Sequence, residues 1–91
     1  MSGSHYVYVL ECGDGSYYTG YTTDVSRRVE EHRGGEGAKY TRGRQPLHLV
    51  HVESFTSRSV AQAREWEIKQ LTRQRKERLI ATSPDPAGED G

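Results

Sequence analysis

Three of the chain's six tyrosines crowd around one glycine in the stretch Ser16 to Asp24, SYYTGYTTD. A phenol can pack in a core, stack on a nucleobase or serve in proton transfer, so the stretch has three readings. A helical pattern follows from Val25 to Arg33. Residues three, four and seven apart share one side of a helix. Val25 and Val29 define the apolar side, Arg28 and His32 fall on that same side, and Arg27 points away. A cation and an imidazole beside a core stripe need partners, because unpaired buried charge is costly. Either Arg28 snorkels over the edge and His32 is a satisfied structural histidine, or the two form part of a site on the sheet face. In a later helix, Glu65 and Glu67 flank the apolar stripe on opposite edges, and spacing does not say which one faces the sheet. Either can pair with Arg64 or Lys69 in solvent, the usual fate of helical glutamates.

The elements that must position these residues read in the order β-β-α-β-α-α. His5 to Leu10, HYVYVL, is β-branched and aromatic, a strand composition. Gly13-Asp14-Gly15 is a hairpin signal, and Ser16 to Tyr21 is the returning strand. Asp24 is a helix N-cap for the segment Val25 to Arg33, which Gly34, Gly35 and Gly37 end. Gly34 to Pro46 is a polar, glycine- and arginine-rich loop, long for a compact domain. Leu47 to Val52 is a third strand. Thr56 or Ser57 caps a helix from Arg58 to Gln70, with Val60, Ala61, Ile68 and Leu71 on one face, and Thr72 caps another from Arg73 to Ala81. The expected fold is α+β, a three-stranded, largely antiparallel sheet with flanking helices. Residues 1–81 form the expected single domain and residues 82–91 an acidic disordered tail.

The hairpin poses a parity problem. Side chains alternate between sheet faces, so a change of one residue in the loop exchanges the faces. A two-residue Asp14-Gly15 turn puts Tyr8 and Tyr18 on opposite faces. A three-residue Gly13-Asp14-Gly15 loop pairs Leu10 with Tyr18 and puts Tyr8, Leu10 and Tyr18 on one face. Composition permits both.

Net charge is zero over 91 residues, but the three acids Asp85, Glu89 and Asp90 sit in the last ten, leaving residues 1–81 basic. Two basic clusters, Arg27 to Arg44 and Arg73 to Arg78, are either solvated surfaces or phosphate-binding ones. No apolar run approaches the ~20 residues of a membrane span, and no signal-peptide pattern opens the chain. Cys12 is the sole cysteine, so no internal disulfide forms. A cytoplasmic location is expected.

Taken together, Tyr6-Val7-Tyr8, Tyr18-Thr19-Gly20, Thr23-Asp24-Val25-Ser26-Arg27-Arg28, His32 and Ala63-Arg64-Glu65-Trp66-Glu67-Ile68-Lys69, followed by Arg73, Lys76 and Leu79, resemble the GIY-YIG nuclease superfamily (URI-type catalytic domain). The resemblance runs from about Tyr6 to Ile80 and is closest to small stand-alone bacterial members. It implies catalytic roles for Tyr8, Tyr18, Arg28, His32 and Glu65, with Glu65 as the metal ligand. It also implies that Tyr8 and Tyr18 share a face, which selects an odd-length hairpin loop. The name-giving triplets are replaced by YVY and YTG, and the chain has no asparagine, although many relatives carry one after the glutamate.

The implied activity is hydrolysis of phosphodiester bonds in DNA, single-stranded or structured, with one Mg²⁺ or Mn²⁺ ion; RNA is not excluded as a partner. Each residue type suits the task. A glutamate is a hard ligand for Mg²⁺, and arginine offers a planar fork to a phosphate. Tyr8, with an ordinary pKa of about 10, needs help to act as a base. His32 could assist either tyrosine. Lys39, Tyr40, Arg42 and Arg44 in the long loop, with Lys69, Arg73, Arg75 and Lys76, are the candidate strand-binding residues. A non-cleaving nucleic-acid-binding module on the same fold is the alternative. A third reading leaves the tyrosines as core and the basic clusters as ordinary surface of a protein-interaction domain.

Overall fold

The computed structural model describes residues 3–82. Strand β1, His5–Glu11, is central; β2, Tyr17–Thr22, and β3, His48–Phe55, flank it, both antiparallel, in the order β2-β1-β3. Helices α1, Val25–Arg33, α2, Arg58–Gln70, and α3, Arg73–Thr82, complete the α+β fold, with a short 3-10 turn at Lys39–Thr41. Thr82, assigned from sequence to the tail, closes α3, and the rest of the expected acidic tail lies outside the described residues.

Strand β1 is buried on both sides, which explains its unbroken apolar run Val7 to Leu10. Tyr8 and Leu10 face one core with Val29, Leu47 and the partly buried Val25 and Tyr18. Val7 and Val9 face the other, with Ala61 and Ile68 of α2, Leu79 and Ile80 of α3, and Tyr17 and Tyr21. Helix α1 therefore covers one sheet face, and α2 and α3 cover the other.

The hairpin settles the parity question. Leu10 pairs with Tyr18 and Tyr8 with Gly20. Cys12 N–H donates to the Ser16 carbonyl at 2.8 Å, closing a three-residue Gly13-Asp14-Gly15 loop. Gly15 adopts φ +85°, the left-handed position that such a loop requires.

Two expectations change. Strand β3 runs to Phe55, beyond the apolar segment ending at Val52, because its charged residue Glu53 has a partner. The Glu53 carboxylate takes two hydrogen bonds from Arg64 of α2, at 2.8 and 3.0 Å, and lies 2.7 Å from His51 Nε2. Val60 is not core: it is 54% exposed, while Ala61, one position on, is fully buried. No helix among the described residues is long and apolar enough to cross a membrane.

The Glu53–Arg64 contact fastens α2 to the sheet. Burial raises the Glu53 pKa, but the hydrogen bonds from Arg64 and His51 outweigh it and hold the carboxyl below its ordinary value. Its stabilising effect is therefore present above the unfolded-state pKa of about 4.3 and lost as pH falls through the lower folded value. Denaturant unfolding should show Glu53→Gln costing about 1–2 kcal/mol at pH 7, with the cost shrinking toward zero in strong acid. An equal cost at both pH values would contradict this ion pair.

Candidate active site

The site is built on Tyr8. Its Cα partner across the hairpin is Gly20, and its ring lies directly over that glycine. A Cβ at position 20 would fall 2.6 Å from Tyr8 Cζ, so any side chain there would drive the tyrosine out. Tyr8 is 1% exposed. Its hydroxyl is 2.8 Å from His32 Nε2, and the Arg28 side chain is near enough to act on it electrostatically. Tyr18 lies on the same face, its ring centroid 6.3 Å from that of Tyr8 and 5.2 Å from that of His32. Burial first, and then the neighbouring Tyr18 and Glu65, push the Tyr8 pKa up to about 12, against a smaller opposing effect of Arg28. The phenol is therefore protonated at neutral pH.

Arg28 and His32 come from α1, which starts where Asp24 accepts a hydrogen bond from Arg27 N–H at 3.1 Å. Val29 seats the helix in the core, and the helical repeat then brings Arg28 and His32 to Tyr8. His32 is fully buried; burial, then the Arg28 charge, lower its pKa, so the imidazole is neutral at pH 7. Arg28 donates to Glu31 Oε1 at 2.9 Å, a partner that orients the guanidinium along the helix.

Glu65 lies on α2, across the sheet from α1, and its charge is the last of the effects that raise the Tyr8 pKa. Strand β2 is an edge strand, so a residue on the edge of α2 is close to groups on the opposite face. The Glu65 side chain is 20% exposed, its charge is felt at the Tyr8 phenol, and its carboxylate lies 3.0 Å from Lys69 Nζ. Glu67, the other glutamate on the stripe's edge, is exposed and pairs with Arg64 at 3.2 Å.

The family model for the GIY-YIG catalytic domain matches residues 4–78. The chain belongs to the GIY-YIG family. Among its relatives are a UPF0213 protein of Natronomonas pharaonis, 64% identical over 89% of this chain and 95% of that one, and a UPF0213 protein of Halobacterium salinarum, 67% identical over 84% and 99%. The solution NMR structure of a UPF0213 protein from Bacillus halodurans superposes with a TM-score of 0.59 at 54% identity, covering 91% of this chain and 88% of that one. A solution NMR structure of a protein from E. faecalis gives 0.61 at 50% identity, with 90% of both chains covered. Small GIY-YIG proteins of this kind thus occur in archaea as well as bacteria.

On this GIY-YIG domain the candidate strand-binding residues separate into groups. Tyr40 is 41% exposed, with its ring 5.8 Å from that of Tyr18. Arg44 is not a free cation: its guanidinium lies 4.1 Å over the Tyr40 ring, donates to the Tyr40 carbonyl and sits 3.2 Å from Asp14. Lys39 and Arg42 are exposed beside them. Lys69 engages Glu65. Arg73, Arg75 and Lys76 lie on α3, away from Tyr8. Arg73 covers the Tyr17 ring at 4.8 Å and pairs with Glu77. Arg75 lines a groove of about 480 Å³ with Arg64, Leu71 and Arg78, and Lys76 is half-buried.

Sequence reasoning missed Glu31, which orients Arg28, and Thr41, fully buried with its hydroxyl 2.9 Å from His32 Nδ1. It also missed Arg58, 5.8 Å from the Tyr21 ring centre. The only available signal for Thr41 was indirect: a buried His32 requires a partner on its second nitrogen.

Gly20→Ala should displace Tyr8 from its cradle. Tyrosine titration followed by ¹³C NMR should find wild-type Tyr8 ionising last, near pH 12, and Tyr8 of the variant back toward about 10. Unfolding should show a loss of about 1–3 kcal/mol from overpacking. An unchanged Tyr8 titration would contradict the close approach.

Proposed function

We propose that the protein is a divalent-metal-dependent endonuclease that hydrolyses phosphodiester bonds in DNA. The observation that carries this reading is one buried tyrosine hydroxyl in contact with a neutral histidine, with the charges of Arg28 and Glu65 both acting on it.

The donor set fits one hard cation held mainly by its substrate. Among the described residues no group of three or more His, Cys, Asp or Glu could cage a metal. Glu65 is the carboxylate electrostatically linked to Tyr8, and Mg²⁺ is commonly bound by one or two carboxylates, retained waters and substrate phosphate. Lys69 holds Glu65 in a half-exposed i,i+4 pair, an interaction typically worth about 0.3–0.5 kcal/mol and easily displaced. Mg²⁺ or Mn²⁺ bound by Glu65 would stabilise charge on the leaving oxygen and on a non-bridging phosphate oxygen.

The protein's own groups supply the rest. Arg28 has donors beyond the one engaged by Glu31, and these suit the phosphate as charge builds in the transition state. The Tyr8 phenolate takes a proton from the attacking water; the hydroxide forms the new P–O bond and the opposite one breaks. Tyr18, on the same face, orients the water or the phosphate. Tyr40 with Lys39 and Arg42 offers an aromatic edge and two cations to a strand entering beside Tyr18.

Glu65→Ala and Arg28→Ala should each lower Mg²⁺- or Mn²⁺-dependent cleavage by at least about 100-fold while the thermal unfolding profile survives. Wild-type protein that cuts no single-stranded, duplex or branched DNA under these conditions would sink the proposal. Salt-dependent DNA binding untouched by Glu65→Ala, again without cleavage, would establish the non-cleaving module instead; cleavage of RNA alone would reassign the substrate.

Because Tyr8 must lose its proton to act as a base and its folded pKa is raised, the rate should climb with pH between 7 and about 9. A flat or falling profile there would remove Tyr8 from the role of base.

A further inference from the structure

We infer that Arg58, which begins α2 beside Tyr21, is a substrate-binding residue: with Arg73, which begins α3 beside Tyr17, it forms a cationic rail along β2 that grips the phosphates of a DNA strand on either side of Glu65. The choice of substrate rests on the nuclease reading above; the binding itself does not require cleavage.

The rail is built from two arginine–tyrosine stations. Alternation along β2 turns Tyr17, Thr19 and Tyr21 toward the α2 side of the sheet, where Tyr17 and Tyr21 pack, half-buried, beside Ala61 and Ile68. Four strand steps separate the two rings by about 13 Å. Each ring carries one guanidinium: Arg58 lies 5.8 Å from the centre of Tyr21, and Arg73 lies 4.8 Å from that of Tyr17. Helix α2 therefore runs along β2 from the Tyr21 end toward the Tyr17 end. Helical repeat places Arg58, Gln62, Glu65 and Lys69 in one narrow stripe of α2. The two arginines thus bracket the carboxylate proposed to carry the metal.

Neither arginine suits its own helix. A cation at a helix N-terminus meets the positive end of the helix dipole, and the first turns of α2 and α3 hold no acid to offset it. Arg58 has no carboxylate partner among the described residues, whereas Arg64, on the same helix, pairs with Glu53 and Glu67. A cation–π contact of 5.8 Å is near the outer limit for that interaction, so Tyr21 aims the guanidinium and leaves its N–H donors unengaged. The Tyr21 ring is itself held, with its hydroxyl 2.8 Å from His5 Nδ1 and the two rings stacked. Arg73 is shared with Glu77, an exposed pair that a phosphate can displace. Lys69 neutralises Glu65 while no metal is bound, so the stripe is positive at both ends. Evenly spaced phosphates match such a stripe. On α3, helical repeat turns Arg75 and Arg78 to the side opposite Arg73, where they line a separate groove with Leu71 and Thr82.

Fluorescence anisotropy of a labelled single-stranded DNA of about 20 residues, in EDTA to prevent cleavage and over about 50 to 200 mM salt, tests the rail. Arg58→Gln should weaken binding about fivefold at about 100 mM salt and reduce the slope of log K against log salt by about 0.7, the share of one phosphate contact on a single strand. Its melting temperature should hold or rise, because a cation has left the N-terminus of α2. Arg58→Lys should keep most of the affinity and slope, and Arg78→Gln should change neither. An unchanged affinity and slope in Arg58→Gln, an equal loss in Arg78→Gln, or no salt-dependent binding by the wild type would overturn the rail. A lower melting temperature in Arg58→Gln would make Arg58 a structural support for Tyr21 instead. In cleavage assays with metal, Arg58→Gln should raise KM by the same factor with kcat nearly unchanged. Arg58-dependent binding in a protein that cleaves nothing would defeat the nuclease reading and leave the rail standing. Cleavage with binding indifferent to Arg58 would defeat the rail alone.

Discussion

A tyrosine hydroxyl removed from water must be matched by partners, and Tyr8 is buried on the most enclosed strand of the sheet. Its partners fix much of the remaining architecture. Helix α1 must lie where its inner face delivers His32 to that oxygen, with the Arg28 charge near it. Gly20 must lack a side chain so that the ring can cross β2. The loop after α1 must return to occupy the second nitrogen of His32, and it does so with a buried turn at Lys39–Thr41. Such a polar network inside a small core has high stakes: satisfied, it specifies one geometry, and broken at any member, it leaves buried groups unmet.

The second constraint is the position of β2. Helices lie on both faces of the sheet, and they can contribute to one site only around an edge. Strand β2 is that edge, with Tyr8 and Tyr18 on the α1 side and Glu65, whose charge acts on Tyr8, on α2. The ion pair of Glu53 with Arg64, beside its hydrogen bond with His51, matters here because it sets the seat of α2, and hence of Glu65, while lying on the far strand β3. Distant residues thus influence the site through rigid packing.

Much of the fold was legible in the chain. Asp24 and Ser57 cap α1 and α2 with the expected side-chain bonds, and both helices have the expected bounds. The shared side of Val25, Val29, Arg28 and His32 followed from helical repeat alone. What composition left open was decided by three-dimensional context. The hairpin parity depended on Gly15 taking a left-handed conformation, and the unequal exposure of Glu65 and Glu67 depended on how α2 is turned against the sheet. Val60 was read as core because apolar type was taken for burial, whereas helix α2 presents Ala61 to the sheet. Thr41 was invisible because its importance lies in one hydrogen bond across nine residues, which leaves no periodic trace.

The central claim is that the Tyr8 oxygen itself takes part in the reaction, beyond filling the core. Tyr8→Phe removes that one atom and keeps the ring over Gly20. Single-turnover cleavage of the best DNA substrate, with Mn²⁺ and binding measured in parallel, should fall by about 100-fold or more while affinity stays within a few-fold. Cleavage by Tyr8→Phe at a rate close to wild type would show that the hydroxyl is only a structural anchor and would contradict the mechanism.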